Sequence, residues 1–212
     1  TTVNCILKNM SKYELTRHFN KYDYILVDES SQLIQTIYKI LEHIKNTTKC
    51  KIILIGDPNQ CVGKDALEES WINTRFGYEL CDSNLIELQK HDEIRYTKET
   101  DELLQEIKSY PDNASRKIRK LIYNRLKHTT SYETKTHIAY YHRTIDKIKE
   151  KGLECEKLEK IHSNQGKTIK GEYTIHDLNH LTKKLIYTAV SRCTDYRDRK
   201  LFVEEADKKR YE

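Results

Sequence analysis

Proline and glycine are scarce in this 212-residue chain, which has two prolines and six glycines. Because both residue types interrupt regular elements, their scarcity predicts long helices and strands with few extended loops. The sequence also has no signal-peptide pattern and no apolar run of membrane-spanning length. We therefore expect a protein that is neither secreted nor embedded in a membrane.

Cysteine pairs with metal-ligand spacing are also missing. The six cysteines are scattered without a C-x-x-C pair, which favours reduced thiols in the cytosol or nucleus. His176 and His180 are four residues apart, as zinc ligands on a helix can be. No helix pattern and no third ligand lie near them, so we do not predict a zinc site.

Charged residues are abundant and slightly biased to the basic side. They make up 33% of the chain, against 37% hydrophobic residues, with a mean hydropathy of −0.83. The formal net charge is +5 and the isoelectric point about 8.7. This balance permits a nucleic-acid partner but does not establish one. The length suits one large domain or two small ones.

The first 60 residues predict a parallel strand–helix–strand unit. Residues 25–27 form a short aliphatic run bounded by polar residues, as in a strand buried on both faces. Apolar residues then recur at helical spacing between Leu33 and Ile44, and a second aliphatic run follows at residues 52–55. The short joints favour a parallel arrangement of the two strands.

The middle of the chain is more helical and more charged. Two helical patterns, at residues 96–110 and 114–128, lie on either side of Pro111, and the second has a strongly basic face. A new α/β pattern begins near residue 136 and ends in a strand at residues 200–205. We therefore predict two α/β units joined by a charged helical bridge over roughly residues 85–130.

Polar residues follow both strands of the first unit. Asp28 and Glu29 follow the first strand, and Gly56, Asp57 and Gln60 follow the second. Ligands of parallel sheets bind outside the carboxyl ends of the strands, although acidic residues also simply terminate strands. Together these groups suit a magnesium–nucleotide site. Asp28 would bind Mg²⁺, Glu29 would activate the attacking water, and Gln60 would hydrogen-bond that water or the γ-phosphate.

The letters GKT at residues 166–168 match only the end of a phosphate-binding loop. Such a loop reads G-x-x-x-x-G-K-S/T, because a glycine-rich turn must wrap its backbone N–H groups around the phosphates. Ile161 stands where the first glycine is required. The role of this segment depends on the rest of the chain.

Four short motifs occur in order along the chain. They are VDESSQ (residues 27–32), GDPNQ (56–60), HSNQGKT (162–168) and YTAVSR (187–192). Their order and spacing resemble motifs II, III, V and VI of the superfamily 1 helicases, of the RecD-like or viral type. The resemblance covers nearly the whole chain.

The resemblance implies a fold and a domain division. The fold is α/β, with two RecA-like parallel-sheet domains of the P-loop NTPase superfamily. Residues 1–90 would be the C-terminal part of the first domain, truncated at its N-terminus. Residues 91–212 would be the second domain with a helical insertion.

The resemblance places GKT in motif V and the true P-loop upstream of Asp28. It implies that His162, Gln165, Gly166 and Thr168 touch the nucleic-acid strand or link it to the nucleotide. A strand-to-helix turn capped by Thr168 is compatible with that role. The residues implied to line the nucleotide site are Gly56, Asp57, Gln60 and Gly166.

Three further residues gain a role from the resemblance. Arg192 would be an arginine finger that neutralises charge developing in phosphoryl transfer. Arg95 falls where the family has its motif IV arginine and would be a second phosphate contact, or else a surface arginine. Thr2 resembles the threonine of a short motif that touches single-stranded nucleic acid before motif II.

The sequence departs from the family in one respect, because it contains no G-x-x-x-x-G-K-S/T. We expect the chain to be the C-terminal portion of a longer helicase that is inactive as an ATPase without its P-loop. A short protein that has lost this loop is the other explanation.

The leading interpretation is an ATP-dependent helicase with ATP and Mg²⁺ as cofactors. ATP hydrolysis at the cleft between the two RecA-like domains would drive single-strand translocation and duplex unwinding, from 5′ to 3′ as in RecD-like relatives. A catalytically silent nucleic-acid-binding or assembly module on the same fold is the alternative, and an unrelated α/β domain with chance motifs is a third.

The expected partner is single-stranded nucleic acid, with DNA favoured over RNA. Replication or repair proteins are further candidate partners, and no membrane is expected. The expected location is the cytoplasm or the nucleus, and the source is viral-like.

Overall fold

The computed structural model describes residues 9–60, 74–84, 86, 96–152, 154–164, 166–204, 208 and 210–211. Contacts divide the chain between Gln89 and Lys90 into two compact units, here called unit 1 (residues 1–89) and unit 2 (residues 90–212). Thr2, Arg95 and Gln165 lie outside the described residues. Across the described ranges, no helix has the length and apolar character needed to cross a membrane.

Unit 1 contains a two-stranded parallel sheet packed on helices. The strands pair in register with Ile25 opposite Ile52, as the strand–helix–strand pattern predicts. The elements are α1 (Lys12–Phe19), β1 (Tyr24–Val27), a 3₁₀ turn (Ser30–Gln32), α2 (Gln35–Thr47), β2 (Lys51–Leu54) and α3 (Arg75–Leu80).

Local signals explain the first two helices. α1 begins with a capping box, in which the Glu14 N–H donates to Ser11 Oγ at 3.3 Å and the Ser11 N–H donates to Glu14 Oε2 at 2.7 Å. α2 has an apolar stripe at helical spacing, and Ile37, Leu41 and Ile44 on it are buried. This stripe forms the centre of the unit 1 core.

Helices cover only one face of the unit 1 sheet within the described residues. Ile25 and Ile52 face the core, whereas Leu26 and Ile53 on the opposite face are 65% and 42% exposed. The prediction of a strand buried on both faces is therefore wrong. Side chains alternate along a strand, so a continuous aliphatic run gives no information about whether the second face is covered.

Unit 2 contains a five-stranded, all-parallel sheet with the strand order β3-β7-β6-β4-β5. Its helices are α4 (Lys98–Ser109), α5 (Ser115–Arg125), α6 (His142–Glu150) and α7 (Lys183–Val190). Its strands are β3 (Lys127–Thr129), β4 (Thr136–Ala139), β5 (Lys157–Lys160), β6 (Tyr173–Ile175) and β7 (Arg199–Phe202). Short 3₁₀ turns cover Ile161–Asn164, Leu178–His180 and Tyr196–Asp198.

The two charged helices of the middle segment belong to unit 2. Both α4 and α5 pack against α7, and their apolar residues Leu103, Ile107, Ile118 and Ile122 are buried. The interpretation of this segment as a bridge between two units is therefore wrong. Its charged residues lie mainly on the outer faces, and its apolar faces pack against α7 within unit 2.

The topology of unit 2 creates a crevice at one edge of its sheet. From β4 the chain continues through α6 to β5 on one side, and from β6 it continues through α7 to β7 on the other. The carboxyl ends of β4 and β6 are therefore the point where the strand order reverses. Open parallel sheets bind ligands at such a point.

Candidate nucleotide and nucleic-acid sites

The turn after β1 presents Asp28 and Glu29 at the carboxyl end of the strand. Asp28 is exposed and its Oδ1 accepts a hydrogen bond from the Glu29 N–H at 2.8 Å. Glu29 has a φ of 50°, a left-handed conformation that costs a non-glycine residue on the order of 1–3 kcal/mol. Gln32 Nε2 lies 3.4 Å from Glu29 Oε2. Such conformations are enriched at functional sites.

Buried hydrogen bonds attach this turn to the end of β2. The Ser30 N–H and hydroxyl both donate to the Ile55 carbonyl at 2.9 Å, and the Tyr38 hydroxyl donates to the Ser30 carbonyl at 3.0 Å. A Cβ at Gly56 would lie 2.9 Å from Ser30 Oγ and 3.0 Å from the Ser31 nitrogen. Glycine is therefore required for this close approach, independently of any nucleotide contact.

Asp57 organises the turn after β2. Its Oδ1 accepts hydrogen bonds from the Asn59 N–H at 2.9 Å and from Asn59 Nδ2 at 3.0 Å. Its Oδ2 lies 3.4 Å from Gln60 Nε2. Asp57 therefore shapes the turn and orients Gln60, which is a positioning role beside the predicted nucleotide role.

The carboxylates of unit 1 can be compared with the needs of Mg²⁺. Nucleotide-bound Mg²⁺ usually takes one or two protein carboxylates, several waters and phosphate oxygens. Asp28 fits this pattern, because it is exposed at a strand end and its described hydrogen bond involves only Oδ1. The described residues contain no group of three or more acidic, histidine or cysteine side chains that could hold a metal alone. Phosphate oxygens and water would supply the remaining ligands.

The GKT segment of unit 2 does not have the structure of a phosphate-binding loop. Gly166 has a φ of 75°, and Lys167 forms an ion pair with Glu159 at 2.9 Å. The residues after Thr168 run without a helix into β6. The predicted strand-to-helix turn is therefore wrong, and no helix N-terminus follows GKT to bind phosphate. His162, Gly166 and Thr168 are all exposed in this segment.

Arg192 is buried inside unit 2, with 3% of its surface exposed. Its Nε donates to the Thr188 carbonyl at 2.8 Å, Nη2 donates to Ser191 Oγ at 2.8 Å, and Nη1 donates to the Lys167 carbonyl at 3.3 Å. The Ile169 N–H also donates to the Arg192 carbonyl at 2.7 Å. Arg192 therefore joins motif VI to motif V. The finger role stays a prediction, and it requires the guanidinium to leave these acceptors.

The start of α4 is attached to the motif VI turn. The Tyr96 hydroxyl donates to the Ser191 carbonyl at 3.3 Å, and the Thr97 N–H donates to the Thr194 carbonyl at 2.9 Å. The Thr100 hydroxyl donates to the same Thr194 carbonyl at 3.2 Å. The chain directly after Arg95 therefore lies against the turn that carries Arg192.

Arg199 stabilises the same turn from β7. It is 1% exposed, and its Nε donates to the Val190 carbonyl at 2.7 Å. Nη1 donates to Thr100 Oγ1 at 3.1 Å and Nη2 donates to the Cys193 carbonyl at 3.0 Å. A guanidinium provides several donors in a rigid fork, so one side chain satisfies the end of α7 and anchors α4.

Asp177 connects the ends of β4 and β6. Its Oδ2 accepts hydrogen bonds from the N–H groups of Tyr140 and Tyr141 at 3.0 Å, and its Oδ1 accepts one from Thr144 Oγ1 at 2.8 Å. A carboxylate at a helix N-terminus satisfies unpaired N–H groups and is favoured by the helix dipole. Asp177 thereby fixes the entry of α6 beside the Tyr140 ring, whose centroid lies 6.1 Å from that of His162.

The histidines at 176 and 180 do not form a pair of ligands. His176 is buried and its Nε2 lies 3.1 Å from His137 Nδ1, whereas His180 is exposed and its ring lies at the edge of Tyr141. Burial lowers the pKa of both His137 and His176. Both are therefore neutral members of the unit 2 core.

Comparison with known proteins identifies the fold. A family model described as an AAA domain matches residues 2–64. A crystal structure of Pif1 helicase from Candida albicans superposes with a TM-score of 0.65 at 10% identity, over 98% of this chain and 79% of that chain. The chain has the RecA-like α/β fold of the P-loop NTPases. The resemblance to superfamily 1 helicases is confirmed.

Two further structures agree with this fold. A Pif1 helicase from a study of DNA unwinding at forked duplex DNA gives a TM-score of 0.62 at 14% identity, over 91% of this chain and 72% of that chain. The PRRSV helicase gives 0.51 at 15% identity, over 85% of this chain, which spans 34% of the viral chain. No curated protein sequence matches the chain.

Sequence reasoning did not identify Tyr96, Arg199 or Asp177 as site residues. Tyr96 and Arg199 bond to residues about a hundred positions away or on a neighbouring turn. No local sequence pattern indicates such contacts. Asp177 was easier to predict from the sequence. It follows a strand, as Asp28 does, and the same strand-end rule would have selected it.

Proposed function

We propose that this chain is part of an ATP-dependent nucleic-acid helicase or translocase. The observation that carries the proposal is the bonding of the acidic turn after β1 to the end of β2. Ser30 and Gly56 hold these two strand ends together, so that Asp28, Glu29 and Gln60 share one edge of the unit 1 sheet. These are the groups that bind the metal and position the water in magnesium–nucleotide hydrolysis, whereas the phosphates are held by a P-loop.

Each group has a proposed task in that chemistry. ATP with Mg²⁺ supplies the phosphoryl group and neutralises part of its charge. Asp28 holds the metal, Glu29 accepts a proton from the attacking water, and Gln60, oriented by Asp57, hydrogen-bonds that water or the γ-phosphate. Arg192, after leaving its acceptors in unit 2, stabilises the developing negative charge, with Arg95 as a second cation.

The strand-binding role is assigned to the exposed segment after β5. His162, Gly166 and Thr168 are exposed there, and we propose that they and Gln165 contact the strand, with Thr2 as a further contact. The strand is proposed to be single-stranded DNA, because one structural neighbour is described in terms of DNA unwinding. An intracellular setting with replication or repair partners follows from this function.

The test uses the full-length product of the gene that encodes this chain. We expect ATP hydrolysis stimulated by single-stranded DNA and ATP-dependent separation of a forked duplex, moving 5′ to 3′ on the loaded strand. A protein that binds strands but hydrolyses no ATP would reject the proposal. A protein that binds neither would reject the strand-binding role as well.

A catalytically silent nucleic-acid-binding or assembly module is the second candidate. It is favoured by the burial of Arg192, whose donors serve carbonyl and hydroxyl acceptors of unit 2 itself. This function predicts that Arg192→Ala lowers stability without changing ATP hydrolysis, because there is none to change. The full-length protein distinguishes the two candidates in one ATPase assay with and without single-stranded DNA.

A further inference from the structure

A cavity of about 300 Å³ opens at the carboxyl edge of the unit 2 sheet. It lies at the ends of β6 and β7 and is closed on one side by α6. This is next to the place where the strand order reverses between β4 and β6, where parallel sheets bind their ligands. The residues that carry the argument are Tyr132, Arg143, Lys147, His176, Phe202 and Arg210.

The rim of the cavity is basic. Arg143 and Lys147 are exposed, lie one turn apart on α6, and form no ion pair with the residues that the structure describes. Arg210 adds a third cation. Arginine and lysine converging on one cavity favour a ligand with a phosphate group.

Two carboxylates, those of Asp177 and Glu204, also line the cavity, and their positions bear on whether it can hold an anion. Asp177 directs both oxygens to the N-terminal region of α6, where Tyr140, Tyr141 and Thr144 donate to it. Glu204 lies near Tyr132, whose pKa is raised by burial and by that carboxylate. Glu204 is therefore an acceptor on the aromatic side of the cavity, suited to a sugar hydroxyl or an amino group of a base.

The inner wall of the cavity is aromatic. The rings of His176 and Phe202 are stacked at 4.8 Å between centroids, and the Tyr132 and Phe202 centroids are 4.7 Å apart. His176 is 2% exposed and lies behind this wall, so the half-buried rings of Phe202 and Tyr132 are the ones on which a nucleobase can stack. A cavity with a basic rim and an aromatic wall therefore fits a ligand that has both a phosphate and a base.

We propose that this cavity binds one nucleotide through its phosphate and its base. About 300 Å³ is at the lower end of the range for small-molecule sites, which suits one nucleotide and not a dinucleotide. The nucleotide belongs to a bound strand or is free in solution. The first case rests on the proposed function, whereas the second does not.

The test measures binding of adenosine 5′-monophosphate (AMP), adenosine and inorganic phosphate to the 212-residue chain by equilibrium dialysis. We expect AMP to bind at least about fivefold more tightly than phosphate, since base stacking adds to the phosphate contact. Arg143→Gln with Lys147→Gln should weaken AMP binding about tenfold or more, because two charged donors are lost. Phe202→Leu should reduce AMP binding while sparing phosphate.

A matched control pair lies on α5. Arg116 and Lys120 are also exposed and one turn apart, so Arg116→Gln with Lys120→Gln removes the same charges at the same spacing. The control should leave AMP affinity unchanged. Absence of AMP binding, equal AMP affinity in the α6 pair and the wild type, or equal losses in the two pairs would overturn the proposal.

A ten-residue thymidylate strand separates the two sources of the nucleotide. Displacement of AMP by this strand, with both affinities lowered in the α6 pair, assigns the cavity to a strand nucleotide. Simultaneous binding of AMP and the strand assigns it to a free nucleotide. The proposed function is tested by a separate readout, the strand-stimulated ATP hydrolysis of the full-length protein. If that activity is absent, the effect of the α6 pair on AMP binding still tests the cavity.

Discussion

The two units hold their predicted catalytic side chains in opposite ways. In unit 1, Asp28 is exposed at the end of a strand, and Glu29 is half-buried beside it. In unit 2, Arg192 is 3% exposed and donates to Thr188, Ser191 and Lys167. In the proposed function the carboxylates would act in the positions they already occupy, whereas the arginine would first have to exchange its acceptors for a phosphate.

The strands of the two units also differ in which side chains they bury. Unit 1 exposes apolar residues of its strands, such as Leu26, whereas unit 2 buries polar ones, including His137, Thr174 and Arg199. A buried polar group stabilises the fold only if it is hydrogen-bonded, and Arg199 is bonded through all three nitrogen positions. Unit 2 thus adds a buried arginine network to its apolar core.

The largest expected effect is that of Arg192→Ala in the full-length gene product. Loss of the cation should lower ATP turnover by roughly a thousandfold or more, as for an arginine finger. Affinity for a single strand without nucleotide should fall far less than turnover, because the described contacts of Arg192 with the proposed strand-binding segment involve the backbone of that segment. Turnover and strand affinity against salt concentration are measured in parallel, with the exposed Arg197→Ala as control.

The same substitution distinguishes a catalytic role of Arg192 from a structural role. If the buried arginine has only a structural role, the free energy of unfolding falls while turnover is retained. Weaker strand binding with a flatter salt dependence and normal turnover would make Arg192 a strand contact instead of a finger.

The next effect concerns Arg199, since the part of unit 1 that the structure describes buries no arginine. Arg199→Ala removes bonds to Val190, Cys193 and Thr100 and should lower the free energy of unfolding by about 3 kcal/mol. Arg197→Ala, two residues away and exposed, should change it by less than about 0.5 kcal/mol. Urea unfolding followed by amide signals of each unit measures both. Equal, small effects would mean that the buried bonds of unit 2 add little.

Glu29→Gln in the full-length gene product should lower turnover on the order of a hundredfold, because the amide cannot accept the proton of the attacking water. Nucleotide affinity should remain near normal. The exposed Glu42→Gln on α2 is the control. Parallel losses of affinity and turnover would show that Glu29 serves the metal or the turn, where it already adopts a φ of 50°.

A smaller effect should distinguish the units in acid. Burial lowers the pKa of His176 to about 3 and also lowers the pKa of His137, below the unfolded value of about 6.5. Below about pH 6.5 the unfolded chain binds protons that the folded state excludes. The free energy of unfolding is therefore highest above that pH and decreases as the pH falls towards the folded-state pKa values. Between pH 6.5 and 5.5, unit 2 should lose about 1–2 kcal/mol of stability.

Hydrogen exchange of amides in each unit measures this difference. Unit 1 buries no histidine among its described residues, so its protection should change less over that pH interval. Equal losses in both units would contradict the assignment of acid sensitivity to the His137–His176 pair.

The sequence predicted those parts of the fold that depend on local periodicity. The apolar stripe of α2 and the two aliphatic runs beside it were sufficient for the parallel strand–helix–strand unit. The burial of β1 was mispredicted, because an aliphatic run does not report how many of its faces are covered. The expected helix after Thr168 was wrong as well, because GKT there enters a strand.

The candidate-site residues that directly follow a strand could be selected from the sequence. Asp28, Glu29 and Gln60 follow aliphatic runs and needed no long-range information. The bonds from Tyr96 to Ser191 and from Arg199 to Thr100 join residues far apart in sequence, and no pattern in a single sequence encodes such pairs. The burial of Arg192 belongs to the same class, since it depends on the fold around α7.

The most direct test compares ATP hydrolysis by the full-length gene product and by residues 1–212, each with and without single-stranded DNA. Residues 1–212 contain no G-x-x-x-x-G-K-S/T, whose lysine and backbone N–H groups hold the β- and γ-phosphates. We predict strand-stimulated turnover by the full-length protein and negligible turnover by the 212-residue chain. Turnover by the chain alone at the full-length rate, or none by either protein, would contradict the proposed function.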